Sequence, residues 1–195
     1  MLAGGKALRM GGGDKCLLPL AGKTLLQHAL ERAAPQVDQL LLSANGNPLR
    51  YARTRLPVIP DRVPQQPGPL AGIYSAMCWM RENAPECSWL ASFASDAPFL
   101  PENLVSELKR HISGETDVVS ARSNGRLQPV FALWHIRLFE EIQEQLNNPE
   151  PVELRQWLAD RERLAVVDFP HLPQDPFFNI NTPQDLYAAE AMLVK

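Results

Sequence analysis

The chain has little cysteine, little histidine, no strong net charge and no long apolar run, and each absence removes a class of protein. Cys16, Cys78 and Cys87 are odd in number and form no Cys-x-x-Cys pair, which argues against a disulfide framework or a thiolate zinc site and for reduced, mostly buried thiols. Cys16 lies close enough to the N-terminal glycines to be oxidisable, yet no companion histidine marks it as a nucleophile. His28, His111, His135 and His171 show no metal-ligand spacing. A net charge of −3 gives no overall attraction to nucleic acid or an anionic membrane, so neither is expected as a partner and an anion site has to be built locally. No apolar run approaches the ~20 residues of a membrane span, and the first residues lack the basic-then-apolar order of a signal peptide. The expected compartment is therefore the cytoplasm.

What is present is an ordinary globular composition. With 195 residues, 45% of them hydrophobic and 21% charged, the chain is read as one domain over 1–195 around one substantial core. Short apolar runs at Gln39–Ala44, Pro57–Ile59, Trp89–Ala94, Val118–Ala121, Val130–Leu133 and Ala165–Asp168 alternate with amphipathic segments, the pattern of an α/β fold with helices on both faces of a mostly parallel sheet. Leu25, Leu26, Ala29, Leu30 and Ala33 share one helical face, with Thr24 as cap and Pro35 as stop. Leu104, Val105, Leu108 and Ile112 repeat the pattern after Pro101. Thr182-Pro183 opens a C-terminal helix carrying Leu186, Ala189 and Leu193. Asn124-Gly125 predicts a tight hairpin, hence one antiparallel pair. Pro57 to Pro69 is too rich in turn formers for a regular element and is read as an active-site loop.

The first fifteen residues are the most informative. Gly4 and Gly5 let the backbone turn sharply and aim N–H groups at phosphate oxygens, while Lys6, Arg9 and Lys15 supply charge. A kinase-type P-loop is excluded because Ala7 follows Gly5-Lys6, leaving no hydroxyl for magnesium. A dinucleotide fingerprint is excluded because Cys16 stands where the third glycine after Gly11 and Gly13 belongs. Only Met1, Leu2 and Ala3 precede Gly4, too few for a central strand, so a longer first strand is expected upstream.

Asp96 sits where the Trp89–Ala94 run gives out, and ligands of open α/β sheets bind beyond the carboxyl ends of strands. Magnesium, held by one carboxylate plus substrate phosphates, suits that position, although a turn cap before Pro98 does too. Asp61 and Asn45 end apolar runs in the same way; a nucleotide contact and a plain turn stay open for both. Gly68-Pro69-Leu70-Ala71-Gly72 leads into a helix whose first N–H groups are free, with Gly72 permitting close approach. Arg126 and Gln128 follow the hairpin turn. Asn179 and Asn181 alternate along an extended segment, facing the same way as an amide clamp for a flat heterocycle, or in the case of Asn181 bonding its own turn.

Taken together, Leu2-Ala3-Gly4-Gly5, Arg9-Met10-Gly11-Gly12, Asp14-Lys15, Gly68-Pro69-Leu70-Ala71-Gly72, Ser95-Asp96-Ala97-Pro98 and Asn179-Ile180-Asn181-Thr182-Pro183 resemble the molybdenum cofactor guanylyltransferases almost end to end. The resemblance implies a Rossmann-like three-layer nucleotidyltransferase fold. It also implies GTP along Leu2, Ala3 and Gly4 with Lys15, Asn45, Asp61 and Asp96 as further contacts, and Mg2+ on Asp96. Arg9, Gly12, Lys15 and Asp96 would attend the reacting phosphates, and Asn179, Asn181, Arg126 and Gln128 a molybdopterin acceptor. A molybdate-insertion protein and client molybdoenzymes are the partners the family suggests. Ala97 departs from the larger residue frequent in the family. Three alternatives stay open on residues alone: a cytidylyltransferase of the same cofactor, a sugar-1-phosphate nucleotidyltransferase, and a GTP-binding carrier without turnover.

Overall fold

In the computed structural model the described residues are 1–5, 12–63, 68–148, 150 and 153–193. Helix α1 (Leu25–Ala33) begins where the sequence predicts. Thr24 accepts from the Gln27 main chain while the Gln27 side chain accepts from the Thr24 N–H, a reciprocal cap that satisfies two end donors. Before it, β1 (Pro19–Leu20) and β2 (Lys23–Thr24) form a short antiparallel ribbon that apolar periodicity does not reveal. The remaining elements are β3 (Leu42–Ser43), β4 (Val58–Ile59), α2 (Pro69–Asn83), β5 (Trp89–Ser92), α3 (Leu104–Lys109), β6 (Val118–Ser123), β7 (Arg126–His135), α4 (Phe139–Asn147), α5 (Leu154–Ala159), β8 (Leu164–Phe169) and α6 (Pro183–Leu193).

The architecture is α/β with mixed sheets. One sheet runs in the order β5-β7-β6-β8, with β7 antiparallel to both neighbours and β6 parallel to β8. Asn124 and Gly125, both at positive φ, make the expected turn between β6 and β7. β3 and β4 form a separate parallel pair. Leu2 bridges in parallel to Ser43 on one side and Ala94 on the other. Its N–H donates to the Phe93 carbonyl at 2.8 Å, and the Ala3 N–H donates to the Ser43 carbonyl at 2.8 Å. Residues 1–3 thus run between the end of β3 and the end of β5.

Period-two alternation in the strands sorts the core. Val119, Phe131 and Leu133 pack with Leu26 and Ala29 of α1 and Leu104 and Leu108 of α3. Val118, Ala132 and Trp134 face the other way, against Ile73 and Met77 of α2, Ile142 of α4 and Leu158 of α5. Leu20, Leu25, Phe99, Ile180 and Ala189 form a third cluster that docks α6. Cys16 and Cys78 are buried, Cys87 is exposed, and all three are free thiols. Cys16 is buried in the core with Leu26 and Tyr51, as expected for most of the thiols, and burial, the main cause, pushes its thiol up to about 11.

Candidate active site

The chain forms a cleft of about 440 Å³ beyond the carboxyl ends of residues 1–3, β3 and β5, walled by Leu2, Gly4, Gly5, Asn45, Asp61, Asp96 and Asn179. Gly68, Pro69 and Gly72 at the start of α2, Gln128 of β7 and Arg155 of α5 also line it, over a floor that includes Ser43, Ala94 and Phe131. The Leu2 and Ala3 N–H groups are spent in sheet pairing, so main-chain donation to a ligand begins at Gly4. A second cavity of about 340 Å³, lined by Met1, Trp79, Met80 and Trp89 among others, shares Leu2 and Ser43 with the cleft, and of the expected site residues only Leu2 lines it.

Asp96 lies on the turn after β5, held by two main-chain bonds: the Ser95 N–H donates to the Leu2 carbonyl at 3.2 Å, and the Ile180 N–H donates to the Asp96 carbonyl at 3.0 Å. Its carboxylate pairs with the Lys15 ammonium, and Lys15 also donates to the Asn181 side-chain oxygen at 2.7 Å. The Lys15 and Asp96 side chains are only 14% and 17% exposed, so their attraction is less screened than that of a surface pair. This triad joins residues 166 positions apart. Asp185 accepts from the Asn181 and Thr182 N–H groups at 2.8 Å each. Burial alone would raise the Asp185 carboxyl, but those bonds, the Thr182 hydroxyl and the Lys15 charge outweigh it and hold it below its ordinary value. Asn179 brings a buried side-chain oxygen without a hydrogen-bond partner to the cleft wall, and such an atom is costly unless a ligand or water satisfies it.

At the other end, Asn45 and Asp61 hold each other. The Asn45 amide donates to the Asp61 carboxylate at 2.7 Å, and the Asp61 N–H donates to the Asn45 side-chain oxygen at 2.9 Å. Arg50, not singled out by the sequence, donates to the Asp14 carboxylate at 2.5 Å and the Asn45 carbonyl at 2.6 Å.

Of the other expected positions, Gly12 is exposed at φ +92°, and Arg126 is exposed at the start of β7 and absent from the cleft wall. Arg9 lies outside the described residues. Gly72 approaches protein closely: a Cβ there would stand 2.7 Å from the Ser43 hydroxyl oxygen and 2.8 Å from Leu2 Cδ2. Arg155 is the charged cleft residue that sequence reasoning missed, because a lone arginine on a short helix carries no motif.

Among the described residues no three His, Cys, Asp or Glu side chains cluster as a metal site. The donors nonetheless suit a hard cation. The Asp96 carboxylate and the orphaned Asn179 amide oxygen share one cleft, and magnesium takes one or two carboxylates, with substrate phosphates and water completing its octahedron.

Strand-end carboxylate, glycine corner and amide rim define an α/β nucleotidyltransferase. Residues 1–166 match the family model described as the MobA-like NTP transferase domain, and the chain belongs to that family. It is 44% identical over 193 residues to the molybdenum cofactor guanylyltransferase of Bradyrhizobium sp. (strain ORS 278), covering 98% of this chain and 91% of that protein. The molybdenum cofactor guanylyltransferase of Rhizobium meliloti (strain 1021) is 37% identical over 198 residues, covering 99% and 90%. Among solved structures, molybdopterin-guanine dinucleotide biosynthesis protein A from Archaeoglobus fulgidus superposes with TM-score 0.74 at 26% identity, covering 99% of this chain and 96% of that one. A 4-diphosphocytidyl-2C-methyl-D-erythritol synthase from Anaerococcus prevotii shares the fold at TM-score 0.75 and 13% identity, over 100% and 94%. The resemblance read from the motifs is borne out.

Proposed function

We propose that the chain transfers GMP from GTP to the terminal phosphate of molybdopterin, with or without molybdenum, giving molybdopterin guanine dinucleotide and pyrophosphate. The observation that carries this reading is end-to-end identity of 44% with a protein of that name, joined to a cleft walled by Asp96, the amides of Asn45, Gln128 and Asn179, and Arg155, with Lys15 paired to Asp96. The acceptor's phosphate oxygen bonds to the α-phosphorus as the bond to the bridging oxygen of pyrophosphate breaks. The attacking oxygen is already anionic, so no side chain has to remove a proton. The work of the protein is to align two polyanions and offset their repulsion.

In this reading Leu2, Ala3, Gly4, Lys15, Asn45, Asp61 and Asp96 bind the nucleotide. Asn45 and Asp61 serve its base or ribose end, and Lys15, with Arg9 and Gly12, its phosphates. Asn179, Asn181, Gln128 and Arg126 receive the acceptor, and the partnerless Asn179 oxygen is ready to accept from a pterin N–H. Asp96 is the residue to hold Mg2+, which supplies Lewis-acid stabilisation of charge on the transferring phosphates. In this reading Lys15, whose ammonium pairs with Asp96, turns to those phosphates when nucleotide binds.

The whole chain acts as one domain with a Rossmann-like three-layer arrangement. The parallel bridges made by Leu2 between Ser43 and Ala94 support reading β3–β4 and the larger sheet as one layer. No helix among the described residues is long and apolar enough to cross a membrane. The proposed setting is cytoplasmic, with hand-over to a molybdate-insertion protein or client molybdoenzymes and no nucleic acid or membrane partner. The deciding experiment is magnesium-dependent pyrophosphate release from GTP and, separately, CTP, each with and without molybdopterin. Acceptor-dependent release from GTP alone is expected. Release from CTP alone moves the assignment to a cytidylyltransferase, and GTP binding with no release to a carrier.

A further inference from the structure

Arg50, on the 3-10 turn Pro48–Thr54, gathers oxygens from two loops. Its guanidinium donates to the Asp14 carboxylate at 2.5 Å, to the Asn45 carbonyl at 2.6 Å and to the Asn47 carbonyl at 3.0 Å. Asp14 precedes Lys15, the cation paired with Asp96; Asn45 carries the amide locked to Asp61. Asn45 is therefore gripped twice, by Asp61 at its side chain and by Arg50 at its carbonyl. The turn is shaped to admit the guanidinium: Gly46 sits at φ +87°, and a Cβ there would stand 3.1 Å from an Arg50 terminal nitrogen. A planar five-donor fork can serve several fixed oxygens at once, which a lysine ammonium on a flexible stem cannot do with the same geometry.

We propose that Arg50 is the positioning residue that sets the span between the phosphate end of the nucleotide site, at Lys15, and its base or ribose end, at Asn45 and Asp61. The inference rests on the reading of the cleft as a nucleoside triphosphate site. Arg50 does not wall the cleft, so it acts through Asp14 and Asn45. A ligand that touches both ends depends on the span, whereas one that touches only the phosphate end does not.

That difference supplies the test. Truncating Arg50 alone strands the Asp14 carboxylate, 15% exposed, without its partner, a separate penalty, so the comparison is made between Asp14→Asn and Asp14→Asn with Arg50→Met. Calorimetric dissociation constants for GTP and for inorganic triphosphate, both with Mg2+, are the readout, at a temperature where each variant is folded by circular dichroism. Loss of Arg50 is expected to weaken GTP by about tenfold or more, the scale of lost charge-assisted hydrogen bonds, while inorganic triphosphate changes by less than about twofold on the same scale. Arg50→Lys is expected to show the same ligand-selective loss, because an ammonium cannot reproduce the guanidinium fork. Equal weakening of both ligands, or of neither, overturns the proposal. If the parent protein binds GTP no more tightly than inorganic triphosphate, the nucleotide reading itself falls, and the span with it.

Discussion

Asp96 carries the largest expected effect of any side chain described, because it is both the candidate cation ligand and the counter-ion of Lys15. Asp96→Ala is expected to lower the turnover of pyrophosphate release by about a hundredfold or more, the scale of one lost transition-state stabiliser. A turnover within tenfold of the parent would refute the role. Asp185 makes a second prediction, with its sign set by protonation. Its carboxyl is held below the ordinary value, so its contribution to stability is fully present above about pH 4 and is lost as pH falls through the folded value. Asp185→Asn should therefore cost about 1 kcal/mol at pH 7, the usual worth of a helix cap, and the gap to the parent should narrow below pH 4. Urea unfolding at pH 7 and pH 3 measures both; a gap that is constant across that range contradicts the assignment. The position of Asp96 was readable because a carboxylate after an apolar strand is a local pattern. Lys15 and Asn181 were legible as site residues through the family motifs, but the direct contacts of Lys15 with Asp96 and with Asn181 were not. Asn181 meets Lys15 across 166 positions, and the Arg50 clamp spans 36 to Asp14, distances over which sequence spacing carries no geometric information.

Local rules fixed the elements well where the cause is itself local. Thr24 with Gln27 starts α1, and Thr182 with Asp185 starts α6 through a matching pair of bonds at 2.8 and 3.2 Å; both starts were legible as caps. The hairpin was legible in Asn124-Gly125, yet β7 runs over Arg126–His135, well beyond the apolar Val130–Leu133. Its polar first residues are strand because β6 supplies partners as far as Ser123↔Arg126, and pairing, not hydropathy, sets that boundary. The converse holds at β3, where the apolar run Gln39–Ala44 yields only Leu42–Ser43 as strand. Helix α2 shows how an element can depend on a missing side chain. Gly72 faces Leu2 and Ser43, so the helix seats directly on the strand ends that form the cleft floor. Gly72→Ala is expected to push α2 away and cost about 1–3 kcal/mol, the range for overpacking, with weaker nucleotide binding in the same variant. Unchanged melting and binding would mean that the seat is more yielding than the contacts imply.

At the scale of the whole molecule, the narrow seam at residues 1–3 connects what the other pairings leave separate. β3–β4 pair only with each other among the named strands, and β5 to β8 form their own sheet; Leu2 bridges between them. The nucleotide end of the cleft, with Asn45 and Asp61, lies on the β3–β4 side, while Asp96 follows β5, so the seam also joins the halves of the site. Proline at position 2 would keep an apolar residue there but remove the N–H that meets the Phe93 carbonyl at 2.8 Å. Phe93 is buried, and an unpaired buried carbonyl costs about 1–3 kcal/mol. Leu2→Pro is therefore expected to lower the melting temperature and to let amides near β3 and β4 exchange with solvent well before those of β6 and β7, which retain their own ladder. Leu2→Val, which keeps the N–H and an apolar side chain, should preserve uniform protection. GTP affinity should fall with the seam in Leu2→Pro even where β5 to β8 remain protected, because Asp96 would then lose its fixed distance to Asn45. Hydrogen exchange that stays uniform across all the strands in Leu2→Pro would show that the Leu2 hydrogen bond is dispensable and that the remaining main-chain bonds of the seam, from Ala3 to Ser43, Ser43 to Met1 and Ser95 to Leu2, suffice to hold the two parts together.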